Sequence, residues 1–342
     1  MNSPTKPRLV DIADVAGVST ATVSRVLNGK DGVSEQVRHD VLAALDMLGY
    51  ERPAALSPKP HGLVGVVVPE LTNPIFAEFA TRILASLSNH GYTPLLCSQS
   101  PGGATEDECI ALLVDRGVRG IVFVSGLHAD TTASHEHYTA LTNMGIVVTF
   151  VNGFAPEVDA SCFASDDMAA INQSMNHLRQ LGHTRVALLV GPRRFVPVQR
   201  KIAAFCASIA DHVSSPDAHV YESLFTIEGG HNAALRAIAD GHTALVCASD
   251  MMALGAVRGA RSLGLSVPGD VSVMGYDDCS LAVFFDPALT TVRQPVGSIV
   301  SLAVSTLTHE IEGVPGPREE FLFRPEVVVR QSTGAAPGQT AA

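Results

Sequence analysis

The 342-residue sequence predicts an α/β chain with a small all-α unit at its amino terminus and a core of two doubly wound parallel-sheet lobes behind it. Two observations carry this reading. Residues 9–48 hold apolar side chains at helical spacing, broken by turn residues. From Leu63 onward, short apolar runs alternate with amphipathic helical stretches, the pattern of parallel βαβ units. That alternation occurs in two successive series.

The amino-terminal unit covers residues 1–50. Leu9, Ile12 and Ala16 fall at i, i+3 and i+7, one helical face. Gly17-Val18 breaks the pattern, as the corner of a helix-turn-helix requires. Ser19 is placed to cap a second helix by accepting an orphan backbone N–H. Val23, Val26 and Leu27 point inward from that helix, and Thr20, Ala21, Ser24 and Arg25 share its other face. Asn28-Gly29 ends it, because both residues tolerate a left-handed φ. A face of small side chains with one long planar cation suits a helix entering a major groove. Small residues permit close approach, and arginine bonds bidentately to a guanine edge. Ser34 caps a third helix whose Val37, Val41, Leu45 and Leu48 close a small core, with Tyr50 packing against it. Residues 51–62, ERPAALSPKPHG, form a linker whose three prolines forbid any long helix.

The core spans residues 63–333. The first series reads as strand GLVGVVVP, helix 74–90, strand TPLLC, helix 104–116, strand GIVFVS, helix 136–144 and strand IVVTFV. Asn73-Pro74 marks a helix start, with Asn as cap and Pro at the first position. A strand near Cys162–Ala164 follows. The second series runs helix 167–181, strand RVALLV, helix 197–211, a short strand around 218–221, helix 229–239, strand ALVCAS, helix 250–263 and strand VSVMGY. Residues 334–342 read as a disordered tail.

Bulk properties narrow the function. No apolar run reaches membrane-spanning length and the first residues are not a signal peptide, so the expected place is the cytoplasm. The six cysteines are scattered without metal spacing and read as reduced thiols. No metal, cofactor or catalytic motif is present, so the chain reads as a non-enzyme without cofactors. Residues 1–61 carry seven basic and seven acidic side chains, so the net charge of −11 lies entirely in the remainder. Lysine and arginine supply much of non-specific DNA affinity. A neutral amino-terminal unit therefore implies weak non-specific binding and reliance on dimerisation.

The strings GVSTATVSRVLNG and VS-x-x-VR, with SDMMALGAVRGARSLGLSVPGDVSVMGYDD and DPALTTVRQP further on, resemble the LacI/GalR family of bacterial transcription regulators over residues 8–333. The resemblance implies a homodimer on a pseudo-palindromic operator, regulated by a small-molecule effector such as a sugar. It implies a core of type-I periplasmic-binding-protein-like fold with the effector between its lobes. Arg25 would read a base edge beside Thr20 and Ala21, with Ser19, Thr22 and Ser24 on phosphates. Leu56 would wedge into the minor groove. The hinge here departs from the family pattern: it is short, and Pro58 and Pro60 follow Leu56 at once. The effector positions it implies are Ile75, Phe76, Asp166, Arg194, Arg200, Phe225 and Asp277. From the residues alone, Phe76 is equally a core side chain, Arg194 a solvated one, and Asp277 a turn cap. Asn152 stands next to Val151, where the family frequently has Asp. Arg193, Arg194, Arg200 and Lys201 together also suit an anionic sugar. The alternative reading is a cytoplasmic sugar-binding protein without DNA function.

Overall fold

A computed structural model describes residues 8–28, 33–48, 61–99, 102–210 and 216–338. The chain divides into two compact units, residues 1–61 and 62–342.

The first unit holds α1 (Leu9–Ala16), α2 (Thr20–Leu27) and α3 (Glu35–Met47). Gly17 ends α1 at φ 65°, a left-handed conformation that glycine adopts without strain. Thr22 N donates to Ser19 Oγ at 3.1 Å, the expected cap. Asn28 departs from the expected left-handed stop. Its φ is −98°, and its side-chain amide donates to Ser24 O at 2.7 Å instead. Ile12, Ala13, Val23, Val26, Leu27, Val41, Ala44 and Leu45 form the core. Leu9 stays 41% exposed, so Ala13 takes the place expected for it. Tyr50 and residues 51–60 of the hinge, with Leu56, lie outside the described residues.

The second unit holds two six-stranded sheets. In lobe 1 the elements are β1 (Leu63–Val68), α4 (Pro74–Asn89), β2 (Thr93–Ser98), α5 (Glu106–Asp115), β3 (Gly120–Val124), α6 (Glu136–Asn143), β4 (Val147–Val151) and β5 (Ser161–Ser165). The chain then builds lobe 2 with α7 (Asp167–Gln180), β6 (Val186–Val190), α8 (Val196–Ile209), β7 (Val220–Glu222), α9 (Ile227–Ala239), β8 (Ala244–Cys247), α10 (Asp250–Ser262), β9 (Ser272–Asp277) and β10 (Thr290–Arg293). It returns to lobe 1 for α11 (Val296–Ile311) and β11 (Glu320–Phe323), and ends in lobe 2 with β12 (Glu326–Val328). Strand orders are β11-β5-β4-β3-β1-β2 and β12-β10-β9-β8-β6-β7. Every pairing is parallel except β10 with β12. The central strands are buried on both faces, which explains their unbroken apolar runs.

Three crossings join the lobes: β5 to α7, β10 to α11, and β11 to β12. The two sequence series end at β9, so they do not contain the last two. Helix α11 packs its Ile299, Val300, Ala303, Val304 and Leu307 against lobe 1. In lobe 2, α9 and α10 cross at glycines. A Cβ on Gly230 would lie 2.1 Å from Met252 O, and one on Gly255 would lie 1.9 Å from Ile227 O.

The start of the expected tail is held in place. Gly334 N donates to Ser272 Oγ at 3.0 Å and Ala336 N to Leu181 O at 2.8 Å. Small residues give no side-chain signal, but their backbone amides still find partners on lobe 2.

Candidate functional sites

On α2 the exposed residues are Thr20, Ala21 and Arg25, with Ser19 exposed at the cap and Thr22 and Ser24 half-buried. The Ser19 and Thr22 hydroxyls pair at 2.9 Å. Arg25 makes no ion pair among the described residues. The helix therefore presents a small-residue surface with one uncommitted guanidinium.

Between the two lobes of the second unit lies a cavity of about 230 Å³. It sits at the carboxyl ends of the strands, where open α/β sheets bind ligands. Lobe 1 contributes Glu70 and Asn73 from the turn after β1, Ile75 and Phe76 from the first turn of α4, Ser125 after β3, and Asn152 after β4. Lobe 2 contributes Phe195, Lys201, Phe225, Ser249, Tyr276 and Asp277. Asp167 and Gln294 stand on two of the crossings.

The backbone is strained at this place. Among the described residues, the non-glycine positions with positive φ are Ser125, Asn152, Asp277 and Asp278, and the first three line the cavity. Such conformations cost about 1–3 kcal/mol each and cluster at ligand sites.

Asp277 is 6% exposed and accepts from Gln294 Nε2 at 2.7 Å. Burial, and then the neighbouring charge of Asp250, pushes its carboxyl well above the usual carboxylate range. Asp250 lies behind it, bonded by Thr291 Oγ1 at 2.5 Å and Cys279 N at 2.8 Å. Its own carboxyl is pushed up to about 6, chiefly by burial. Gln294 Oε1 is buried without a partner, an acceptor that a ligand hydroxyl would satisfy.

Lys201 Nζ pairs with Asp167 Oδ1, and both side chains are at most 6% exposed. Tyr276 OH donates to the same oxygen at 3.0 Å, and the ammonium lies 4.0 Å from the Tyr276 ring centre. Phe225 packs on Gly191, where a Cβ would come within 2.0 Å of the ring. Removing that side chain is what lets the ring lie against the turn after β6.

Of the expected effector residues, Ile75, Phe76, Phe225 and Asp277 come together here. Three do not. Arg200 turns away and donates bidentately to Glu320 at 2.7 and 2.8 Å. Arg194 is half-exposed and bonded through Nε to Asp130 at 2.7 Å. Asp166 caps α7, accepting from Ala169 N at 2.9 Å. For Arg200 and Asp166 the difference is a matter of phase. On α8, Val198, Lys201 and Phe205 follow at i, i+3 and i+7, so the cavity side falls on Lys201, one residue beyond Arg200. The buried Phe205 was the signal available to set that phase. Likewise a cap carboxylate is spent on its own helix, and Asp167, next in the chain, faces the cavity. Gln294 had no legible signal, because the crossing that carries it was not read.

A small helix-turn-helix unit with an exposed arginine, joined to a two-lobed core around a largely apolar cavity with a few convergent polar groups, defines a ligand-responsive DNA-binding regulator. The comparisons agree. Residues 8–53 match the profile of bacterial regulatory proteins of the lacI family, and residues 175–333 that of the periplasmic binding protein-like domain. The chain is 55% identical over 338 residues to the HTH-type transcriptional regulator reg1 of Streptomyces lividans, covering 97% of this chain and 98% of that one. It is also 55% identical over 337 residues to the HTH-type transcriptional regulator MalR of Streptomyces coelicolor, with the same coverage. Among solved structures, a transcriptional regulator CelR–cellobiose complex aligns at TM-score 0.70 and 27% identity, covering 95% of this chain and 99% of that one. The lac repressor dimer bound to operator and the anti-inducer ONPF aligns at TM-score 0.68 and 25% identity, covering 97% of this chain and 100% of that one. The chain belongs to the LacI family of bacterial transcription regulators, and it is a sequence-specific DNA-binding protein of that family.

Proposed function

We propose that the effector of this regulator is an uncharged, hydroxyl-rich ring, a neutral saccharide, held between the lobes. The observation that carries this is the charge balance of the cavity. Its one cation, Lys201, is already neutralised by Asp167, and its other ionisable side chains, Glu70 and Asp277, are carboxyls. Arg200 and Arg194 are committed elsewhere, and Arg193 is bonded to Asp217 at 2.8 Å. A phosphate or carboxylate buried here would lack a counter-charge, which is costly. Hydroxyl groups, by contrast, pair with Asp277, Asn152, Ser249 and the unpartnered Gln294 Oε1, while Phe76, Phe195 and Phe225 cover an apolar ring face. The cellobiose complex of a relative is consistent with a ligand of this kind.

Titration calorimetry with glucose, cellobiose, ribose and glucose 6-phosphate tests the reading. A neutral sugar is expected to bind, and Asp277→Ala to weaken it at least about tenfold, the worth of a hydrogen bond to a charged or buried acceptor. Tighter binding of glucose 6-phosphate than of glucose would overturn it.

On the DNA side, a homodimer places two α2 helices about one duplex turn apart on a pseudo-palindromic operator, in the cytoplasm with the DNA. Arg25 reads a base edge, with Thr20 and Ala21 beside it and Ser19, Thr22 and Ser24 on phosphates. Arg25→Ala is expected to cost about 1–3 kcal/mol of operator affinity, read by fluorescence anisotropy at fixed salt. Its melting curve should match that of the wild type, because Arg25 is exposed and makes no ion pair among the described residues.

A further inference from the structure

Besides the three chain crossings, side chains at the start of α8 tie lobe 2 to lobe 1. Just before the helix, Asp130 of the loop after β3 holds Arg194 Nε at 2.7 Å and is itself 6% exposed. Thr131 donates through both its amide and its hydroxyl to the Arg194 carbonyl, each at 2.8 Å. Asp130 and Phe195 pair as an isolated antiparallel bridge, and Gln199 Nε2 donates to Thr131 Oγ1 at 3.2 Å. Inside the helix, Arg200 makes its bidentate pair with Glu320, which lies on the lobe 1 strand β11.

None of Asp130, Arg194, Arg200 and Glu320 lines the cavity, but their neighbours Ala129 and Phe195 do. The lobe 1 loop is also braced from behind. Buried Glu106 accepts from Leu127 N at 3.0 Å and from Tyr138 OH, and Tyr138 OH accepts from His128 N at 2.9 Å. Gly153 packs so closely on Ala129 that a Cβ would sit 2.5 Å from the Ala129 Cβ. The loop is a rigid arm of lobe 1, so its bonds to Arg194 break when the lobes part.

We propose that the Asp130–Arg194 and Glu320–Arg200 pairs are two clamps on a single closure equilibrium of the core. Both exist only when the lobes are together, and each favours the closed form without touching the ligand. Together they set the fraction of molecules whose cavity is formed. A ligand that needs the formed cavity then binds with an affinity scaled by that fraction. The arginines that resemblance assigns to the effector act instead on the state that receives it.

The Thr131 amide reports the clamps directly, because its acceptor lies on the other lobe. Hydrogen exchange of the full-length, ligand-free protein therefore tests the proposal whatever the ligand is, and separately from the saccharide reading. Arg200→Gln and Glu320→Gln are each expected to lower Thr131 protection at least fivefold, although neither residue contacts Thr131. Protection at Ala256, inside α10, should stay unchanged. The exchanged pair Arg200→Glu with Glu320→Arg should return Thr131 to within twofold of the wild type. Unchanged Thr131 protection in the single variants overturns the proposal. So does a parallel loss at Thr131 and Ala256, which marks unfolding of lobe 2 rather than opening.

Discussion

Lys201→Ala is expected to lower the stability of the core by about 3–5 kcal/mol, the cost of leaving one member of a buried ion pair without the other. Lys201 and Asp167 are both almost fully buried, and Asp167 is left with Tyr276 OH as its hydrogen-bond donor. The carboxylate is only 6% exposed and so poorly hydrated, and the lost ammonium also sat against the Tyr276 ring. Urea unfolding followed by far-ultraviolet circular dichroism measures the effect, since the chain has no tryptophan. Lys201→Met combined with Asp167→Asn removes both charges and is expected to recover most of the loss. A single Lys201→Ala variant within 1 kcal/mol of the wild type at neutral pH would show that this pair is not buried as described.

Gly255→Ala is expected to cost about 3 kcal/mol or more, at the upper end of overpacking penalties. The new Cβ would lie 1.9 Å from Ile227 O and 2.7 Å from His231 N. Both are backbone atoms of α9, so the only relief is separation of two helices packed at that point. Gly297→Ala gives the contrasting case on an exposed turn of α11. The nearest atom to its Cβ is Arg82 Nη1 at 3.8 Å, so the substitution is expected to stabilise by about 0.4–1 kcal/mol. Equal melting temperatures for the two variants would contradict the account of the α9–α10 crossing.

These positions also show what the sequence conveys and what it withholds. The helices of the amino-terminal unit and the strands of both lobes were legible because their apolar periods match their burial. The return of the chain through β10, α11, β11 and β12 was not read: the helical period of Ile299, Ala303 and Leu307 marks a helix but not the lobe it packs on, and β11 and β12 are short, half-exposed strands. Of the residues that line the cavity, Ile75, Phe76, Phe225 and Asp277 were expected from the resemblance, whereas Phe195, Lys201 and Tyr276 were not. On α8 the cavity side falls on Lys201 rather than on its neighbour Arg200, which pairs with Glu320. An arginine in a resembling string is easily aligned one residue off, and a single residue turns a side chain by about 100° around a helix. Glu320, the partner that holds Arg200, is 120 residues away and invisible to any local pattern. Asn28 shows the same limit on a smaller scale. A residue that tolerates a left-handed turn ended its helix by its side-chain amide instead.

The most direct test of the account is fluorescence anisotropy of the full-length protein on a selected pseudo-palindromic operator, at fixed salt, with and without the neutral saccharide that calorimetry finds to bind. Lobe closure and operator binding, if coupled, must show a difference in affinity between the two states of at least about tenfold. The account predicts such a change for the wild type and none for Asp277→Ala, whose operator affinity without sugar should be unaltered. Selective operator binding that no bound saccharide changes would contradict it, and the cavity would then not be the control point of this regulator.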